Sequence, residues 1–181
     1  SSKGGGPGFV GGMKAMGFEG PVYPVNPKAE EIGGFKCYPT LLDCPTDVDY
    51  VISSVPAPVV PTLIEHAIQK NTQLIHLFTA GFSETGDPER TELERQTVQR
   101  ALDNGIRILG PNCMGVYSPE VGLAISPGMP ARLGDVAFVS QSGSLTTMFA
   151  NEAIKAGFAT SKAVSMGNQM DLDAADFVRY L

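Results

Sequence analysis

Short apolar runs alternate with amphipathic stretches along most of the chain. The segments PVYPVNP (21–27), DYVISSVP (49–56), QLIHLFTAGF (73–82) and IRILGPN (106–112) are compact and rich in Val and Ile. Each ends in Gly, Pro or Asn, or in a residue beside one, which predicts buried β-strands. Between them the apolar positions change to a helical period. Val59, Val60, Leu63, Ile64, Ala67 and Ile68 form one stripe, which Asn71 ends. Leu93, Val98, Ala101 and Leu102 form another, with Pro88 in its first turn and Asn104-Gly105 at its end. Strand and helix in strict alternation predict an α/β protein, a parallel sheet with helices on both faces. Such sheets bind ligands beyond the carboxyl ends of their strands.

The pattern breaks at SPGMPARLG (126–134), whose prolines and glycines suit a linker. A second unit follows. DVAFVSQSGSLTTMF (135–149) is a strand feeding a helix through small hydroxyl and glycine residues. A strand near 161–166 and a helix from Asp173 come next. The predicted division is therefore 1–126 and 127–181. The last helix runs into Leu181, and the chain opens on a glycine loop that a doubly wound sheet would precede with a strand. The expectation is a fragment with the first strand missing and the second unit truncated.

Composition narrows the possibilities. With 181 residues, 43% of them apolar, the chain is able to build a packed core. A net charge of −6 argues against a nucleic-acid surface. No apolar run reaches the ~20 residues of a membrane span, and no basic-then-apolar leader opens the sequence. Cys37, Cys44 and Cys113 match no zinc spacing and read as reduced thiols, so a cytoplasmic location is expected.

The loop Gly6-Pro7-Gly8-Phe9-Val10-Gly11 fits G-x-G-x-x-G, which lets a backbone approach a pyrophosphate closely. In a glycine-rich region such a match also arises by chance, so a flexible terminus stays open. A dinucleotide site would place an acid at the end of the second strand. Here that strand ends in Asn26-Pro27-Lys28, and Glu30 and Glu31 come late. A lysine favours a phosphorylated ribose or a charged adenine-side group over plain NAD. VPAP (55–58), TAGF (79–82) and GPNCMG (110–115) all end strands on one sheet edge, which suits a long, thin ligand. His66 reads as a surface residue and His76 as a hydrogen-bonded core residue. The charged run from Glu84 to Glu94 reads as a solvated helix face. SQSGS is not the G-x-S-x-G elbow of hydrolases, so its helix start is the candidate anion site.

Taken together, YPVNPK, VPAP, TAGF, RILGPNCMGV, FVSQSGSL and SMGNQMDLDAADFVRYL resemble the NDP-forming acyl-CoA synthetases, among them ADP-forming acetyl-CoA synthetases and the succinyl-CoA synthetase alpha subunit. The resemblance spans nearly the whole chain in the family's motif order. It implies a Rossmann-like CoA-binding domain followed by the start of a flavodoxin-like domain. It assigns Ser2, Lys3, Gly6, Pro7 and Gly8 to the CoA diphosphate loop, and Val25, Asn26 and Lys28 to the adenosine end. Val55, Pro56, Pro58, Thr79, Ala80 and Gly81 would line the pantetheine path, and Asn112 and Cys113 would lie near the thiol. Ser142, Gly143 and Ser144 would hold phosphate. The family's phosphorylated histidine lies beyond Leu181, so no catalytic residue and no metal ligand is expected here. ADP or ATP and Mg would bind an ATP-grasp domain or beta subunit, with CoA and a small carboxylic acid as substrates in an oligomeric enzyme. Two other readings are a CoA-sensing regulatory region of a protein acetyltransferase and an NAD-binding oxidoreductase domain.

Overall fold

A computed structural model describes residues 8–124 and 126–181. Ser2, Lys3, Gly6 and Pro7 of the glycine loop lie outside these. Helix α1 (Phe9–Met16) follows Gly8 directly, and the Phe18 amide closes it on the Met13 carbonyl. A two-residue turn then joins β1 (Glu31–Ile32) and β2 (Phe35–Lys36) as a small antiparallel hairpin.

The expected alternation comes next: β3 (Tyr50–Ser53), α2 (Val60–Gln69), β4 (Leu74–Leu77), α3 (Pro88–Leu102) and β5 (Arg107–Leu109). The three strands form a parallel sheet in chain order, with Val51, Ile75 and Ile108 in one row and Ile52, His76 and Leu109 in the next. Strand periodicity sends these rows to opposite faces. Ile75, Leu77 and Ile108 pack with Val60, Ile64 and Ala67 of α2 and Ala101 of α3. Full burial of a side chain such as Ile64 stabilises the fold by ~1.5–3 kcal/mol. Asp87 caps α3 by accepting the Glu89 amide at 2.9 Å, and Pro88 fills the first position, where no N–H is needed.

The segment 21–27 departs from expectation. It forms no strand, only one isolated parallel bridge between Val25 and Tyr38. Pro21, Pro24 and Pro27 have no N–H, so three of its seven positions have nothing to donate to a ladder.

The second sheet holds another surprise. Strands β7 (Val136–Ser140) and β8 (Thr160–Ser165) are parallel, linked by α4 (Gly143–Lys155), and α5 (Ala174–Tyr180) follows. On the other side of β8 lies β6 (Gly115–Tyr117), antiparallel and absent from the sequence reading. This sheet therefore joins residues from both sides of Pro127. Tyr117 is fully buried and donates its hydroxyl to the Pro130 carbonyl at 2.7 Å, which ties down the linker. Phe9 and Met13 of α1 share a core with Tyr117, Ala163, Ala150 and Ile52. So α2 and α3 cover one face of the first sheet, while α1 and the second sheet cover the other.

Candidate functional site

Parallel strands bring their carboxyl ends to one edge, and three tips meet there. Beyond β3, the chain turns through Val55 and a 3-10 turn at Ala57–Val59, with Pro56 and Pro58 exposed. Beyond β4 come Thr79, Ala80 and Gly81; beyond β5, Gly110 to Met114. The Asn112 amide donates to the Thr79 carbonyl at 3.0 Å. A methyl placed on Gly81 would sit 3.6 Å from the Ala57 side chain, so the first two tips also touch. The structure thus gathers Pro56, Pro58, Thr79, Ala80, Gly81 and Asn112.

Two carboxylates brace this edge. Glu84 accepts the amides of Gly81 and Phe82, and Glu94 accepts the Ser83 amide at 3.0 Å. The sequence reading placed both on a solvated helix face. That holds for Glu92 and Arg95, which pair with each other in solvent; Glu84, exposed but in a 3-10 turn before α3, and Glu94 on α3 instead bind loop amides. For Glu84 the signal was an acid just after a glycine turn, whose free amides need acceptors; Glu94, eleven residues from Ser83 along the chain, gave none.

Cys113 is buried, with its thiol directed at the Leu77 carbonyl and its pKa pushed up to about 12 by burial. Its sulfur faces the core; only its backbone belongs to the tip. Asn112 is exposed and adopts φ 57°, a conformation that Asn tolerates better than most residues.

Helix α4 starts beside this loop. Ser142 caps it, its hydroxyl accepting the Leu145 amide at 3.2 Å. Among the described residues, no acceptor pairs with the amides of Gly143 and Ser144. Residue 143 has to be glycine because Met114 of the GPNCMG tip lies where a Cβ would go. An open cavity of ≈ 370 Å³ borders this contact, lined by Met114, Ser126, Gly143, Ser144, Thr147 and Asn151 among others. Unpaired amides with the positive end of a helix dipole favour an oxyanion.

The segment after β8 sews the two sheets together. The amides of Met166 and Gly167 donate to the carbonyls of Ser140 and Gln141, at the β7 tip. Those of Asn168, Met170 and Leu172 donate to Pro111, Gly110 and Ile108, at β5. Asp171, with its side chain 6% exposed, accepts the Ile108 amide at 2.7 Å and two nitrogens of Arg107. This carboxylate raises the Arg107 pKa.

Lys28 stands apart. Its amide donates to the Asn26 side chain at 2.9 Å, an Asx turn, and Lys28 and Val25 are exposed. Among the described residues, no hydrogen bond joins Val25, Asn26 or Lys28 to the three tips or to α4. His76 is a buried, hydrogen-bonded core residue as expected, and His66 is half-buried on α2. No group of three His, Cys, Asp or Glu side chains suited to a metal exists among the described residues.

This architecture defines a class: an α/β protein whose parallel strand tips gather on one edge, next to a helix start with unpaired amides. Comparison with known families makes it specific. Residues 12–119 match the CoA binding domain, and residues 133–181 match the succinyl-CoA ligase like flavodoxin domain. The chain belongs to the CoA-binding domain family. It is 40% identical over 165 residues to an ADP-forming acetate–CoA ligase I of Archaeoglobus fulgidus, covering 91% of this chain and 24% of that protein. It is 39% identical over 162 residues to the alpha subunit of an ADP-forming acetate–CoA ligase II of Pyrococcus furiosus, covering 90% and 35%. The solved acetyl-coenzyme A synthetase 1 of Ca. Korarchaeum cryptofilum, in complex with phosphate and ADP, superposes with a TM-score of 0.85 at 36% identity, over 95% of this chain and 37% of that one. The chain thus spans about a quarter to a third of the length of these curated relatives and matches their CoA-binding part.

Proposed function

We propose that the chain is the CoA-binding part of an ADP-forming acyl-CoA synthetase. The whole enzyme converts acyl-CoA, NDP and phosphate to carboxylic acid, CoA and NTP. One observation carries this reading: the GPNCMG tip, which closes the strand-tip edge, abuts the start of α4 through Met114 and Gly143. A thioester lying along the tips would end beside the amides of Gly143 and Ser144.

The chemistry needs that adjacency. A phosphate oxygen attacks the thioester carbonyl carbon, the C–S bond breaks, and the CoA sulfur leaves and takes a proton. The product is an acyl phosphate, still near the bound thiol, so the reverse step gains from proximity. Amides of α4 stabilise the phosphoryl oxygens through hydrogen bonds and the helix dipole, which contributes ~0.3–2 kcal/mol. A histidine outside this chain then takes the phosphoryl group, releases the carboxylate, and passes the group to the nucleotide on an ATP-grasp domain or beta subunit with Mg.

In this reading Val55, Pro56, Pro58, Thr79, Ala80 and Gly81 flank the pantetheine arm, Asn112 and the Cys113 backbone meet its thiol end, and Ser142 shapes the phosphate site. Lys28, with Val25 and Asn26, serves the adenosine end, reached from outside the strand-tip cluster. The diphosphate falls to Gly8 and the residues before it. The enzyme is placed in the cytoplasm on its reduced thiols, Cys37, Cys44 and Cys113; no helix among the described residues is long and apolar enough to cross a membrane.

Calorimetric titration with CoA and with NADH tests the assignment. Binding of CoA with no measurable heat from NADH is expected. Tight NADH binding without CoA binding would replace it with an oxidoreductase reading.

A further inference from the structure

An imidazole at the centre of a buried parallel strand brings two polar nitrogens into an apolar layer, a costly arrangement unless both are paired. At His76 both are. Nε2 lies 3.0 Å from the Cys113 carbonyl oxygen, and Nδ1 lies 3.2 Å from the Tyr50 hydroxyl. A carbonyl only accepts, so Nε2 carries the hydrogen and Tyr50 donates its own to Nδ1. His76 is therefore a neutral donor, and burial lowers its pKa to about 4. The titratable groups facing the ring are Tyr50 and Cys113, and burial raises the pKa of both, keeping them neutral.

The ring is tightly seated. Phe9 of α1 meets it edge-on at 5.5 Å between centroids, and Tyr50 stacks at 6.3 Å. On the remaining side lies Gly115, at φ 89°, where a Cβ would run into the imidazole. Position 115 thus needs glycine twice, for its backbone and for the ring it accommodates.

The carbonyl that His76 holds belongs to the residue after Asn112. The same tip is fixed at the Asn112 amide by Thr79 and at the Met114 amide by the Ser165 hydroxyl, 3.1 Å away. His76 adds the bond from the centre of the first sheet. We propose that His76 is a positioning residue of the CoA site: through the Cys113 carbonyl it fixes the tip that presents Asn112 to the pantetheine end of the ligand and Met114 to the start of α4. This rests on the reading of the strand tips as a CoA cradle.

Gln and Asn separate the two bonds. Gln at position 76 places its amide nitrogen near the site of Nε2 and keeps a donor for Cys113, whereas Asn reaches only as far as Nδ1. Titrations of the protein, H76N and H76Q with CoA and with adenosine 3′,5′-bisphosphate test the role. H76N is expected to weaken CoA about tenfold, the effect of one good hydrogen bond, while adenosine 3′,5′-bisphosphate changes less than twofold. H76Q is expected to recover most of the CoA affinity. Equal losses for both ligands in H76N, or no advantage of Gln over Asn, would overturn the proposal. Unchanged CoA binding in H76N sinks the proposal alone; a wild-type protein that binds no CoA sinks the reading of the site with it. Should H76N fail to fold, nitrogen NMR of the wild-type imidazole decides. An Nε2–H tautomer supports the latch, and an Nδ1–H tautomer or a charged ring refutes it.

Discussion

The Gly110–Gly115 tip and the Asn26–Lys28 turn are both proposed to touch CoA, yet they are built in opposite ways. The tip is held from three directions: by His76 of the first sheet and Thr79 just beyond β4, by Ser165 of the second sheet, and by the amides of Asn168 and Met170. The turn is held by an Asx bond, a weak Ala29–Asn26 bond, the Cys37 thiol on the Asn26 carbonyl and a single β-bridge. A buried, bonded loop keeps its geometry before ligand arrives and lowers the cost of ordering it. An exposed lysine contributes charge more than geometry, and salt screens it. The reacting end of the proposed ligand therefore meets the rigid region, and the adenosine end meets the adaptable one.

The largest effect expected from this contrast is at Gly115. Gly115→Ala puts a methyl into the His76 ring at a positive φ, and a loss of roughly 2–4 kcal/mol should appear in urea unfolding. Stability within 0.5 kcal/mol of wild type, on the order of an ordinary surface change, would show that the tip is not rigid. Next comes Asp171→Ala. It strips the acceptor from the buried Ile108 amide and from Arg107, and ~1–3 kcal/mol should be lost. CoA affinity should fall with it, since the segment that aligns the two sheets is loosened. The smallest effect belongs to Lys28→Ala. Stability should be unchanged, and CoA should weaken by up to about fivefold at low salt. Dephospho-CoA, lacking the 3′-phosphate, should be unaffected; an equal loss for both ligands would move Lys28 away from that phosphate.

Much of the fold was legible because it depends on local regularities. The helical stripes of α2 and α3, Pro88 at a first turn and Ser142 before α4 each follow from spacing and capping chemistry that neighbours in sequence decide. The tips VPAP, TAGF and GPNCMG were legible as one edge because parallel connectivity leaves no other arrangement. Strand β6 was not, since three residues between two loops carry no period and gain their identity only from pairing with β8, some fifty residues later.

The site divides in the same way. Residue types alone determined that small residues close the strands, that a helix follows the hydroxyl-rich SQSGS, and that a lysine stands where a dinucleotide domain would carry an acid. Tertiary structure alone decided that Cys113 turns its sulfur inward, that Glu84 and Glu94 bind loop amides, that Asp171 bridges the sheets, and that His76 reaches the Cys113 carbonyl. Each of these depends on a partner brought close by folding. Hydrogen bonds act over about 3 Å, and a sequence pattern does not encode which distant groups fall within that reach.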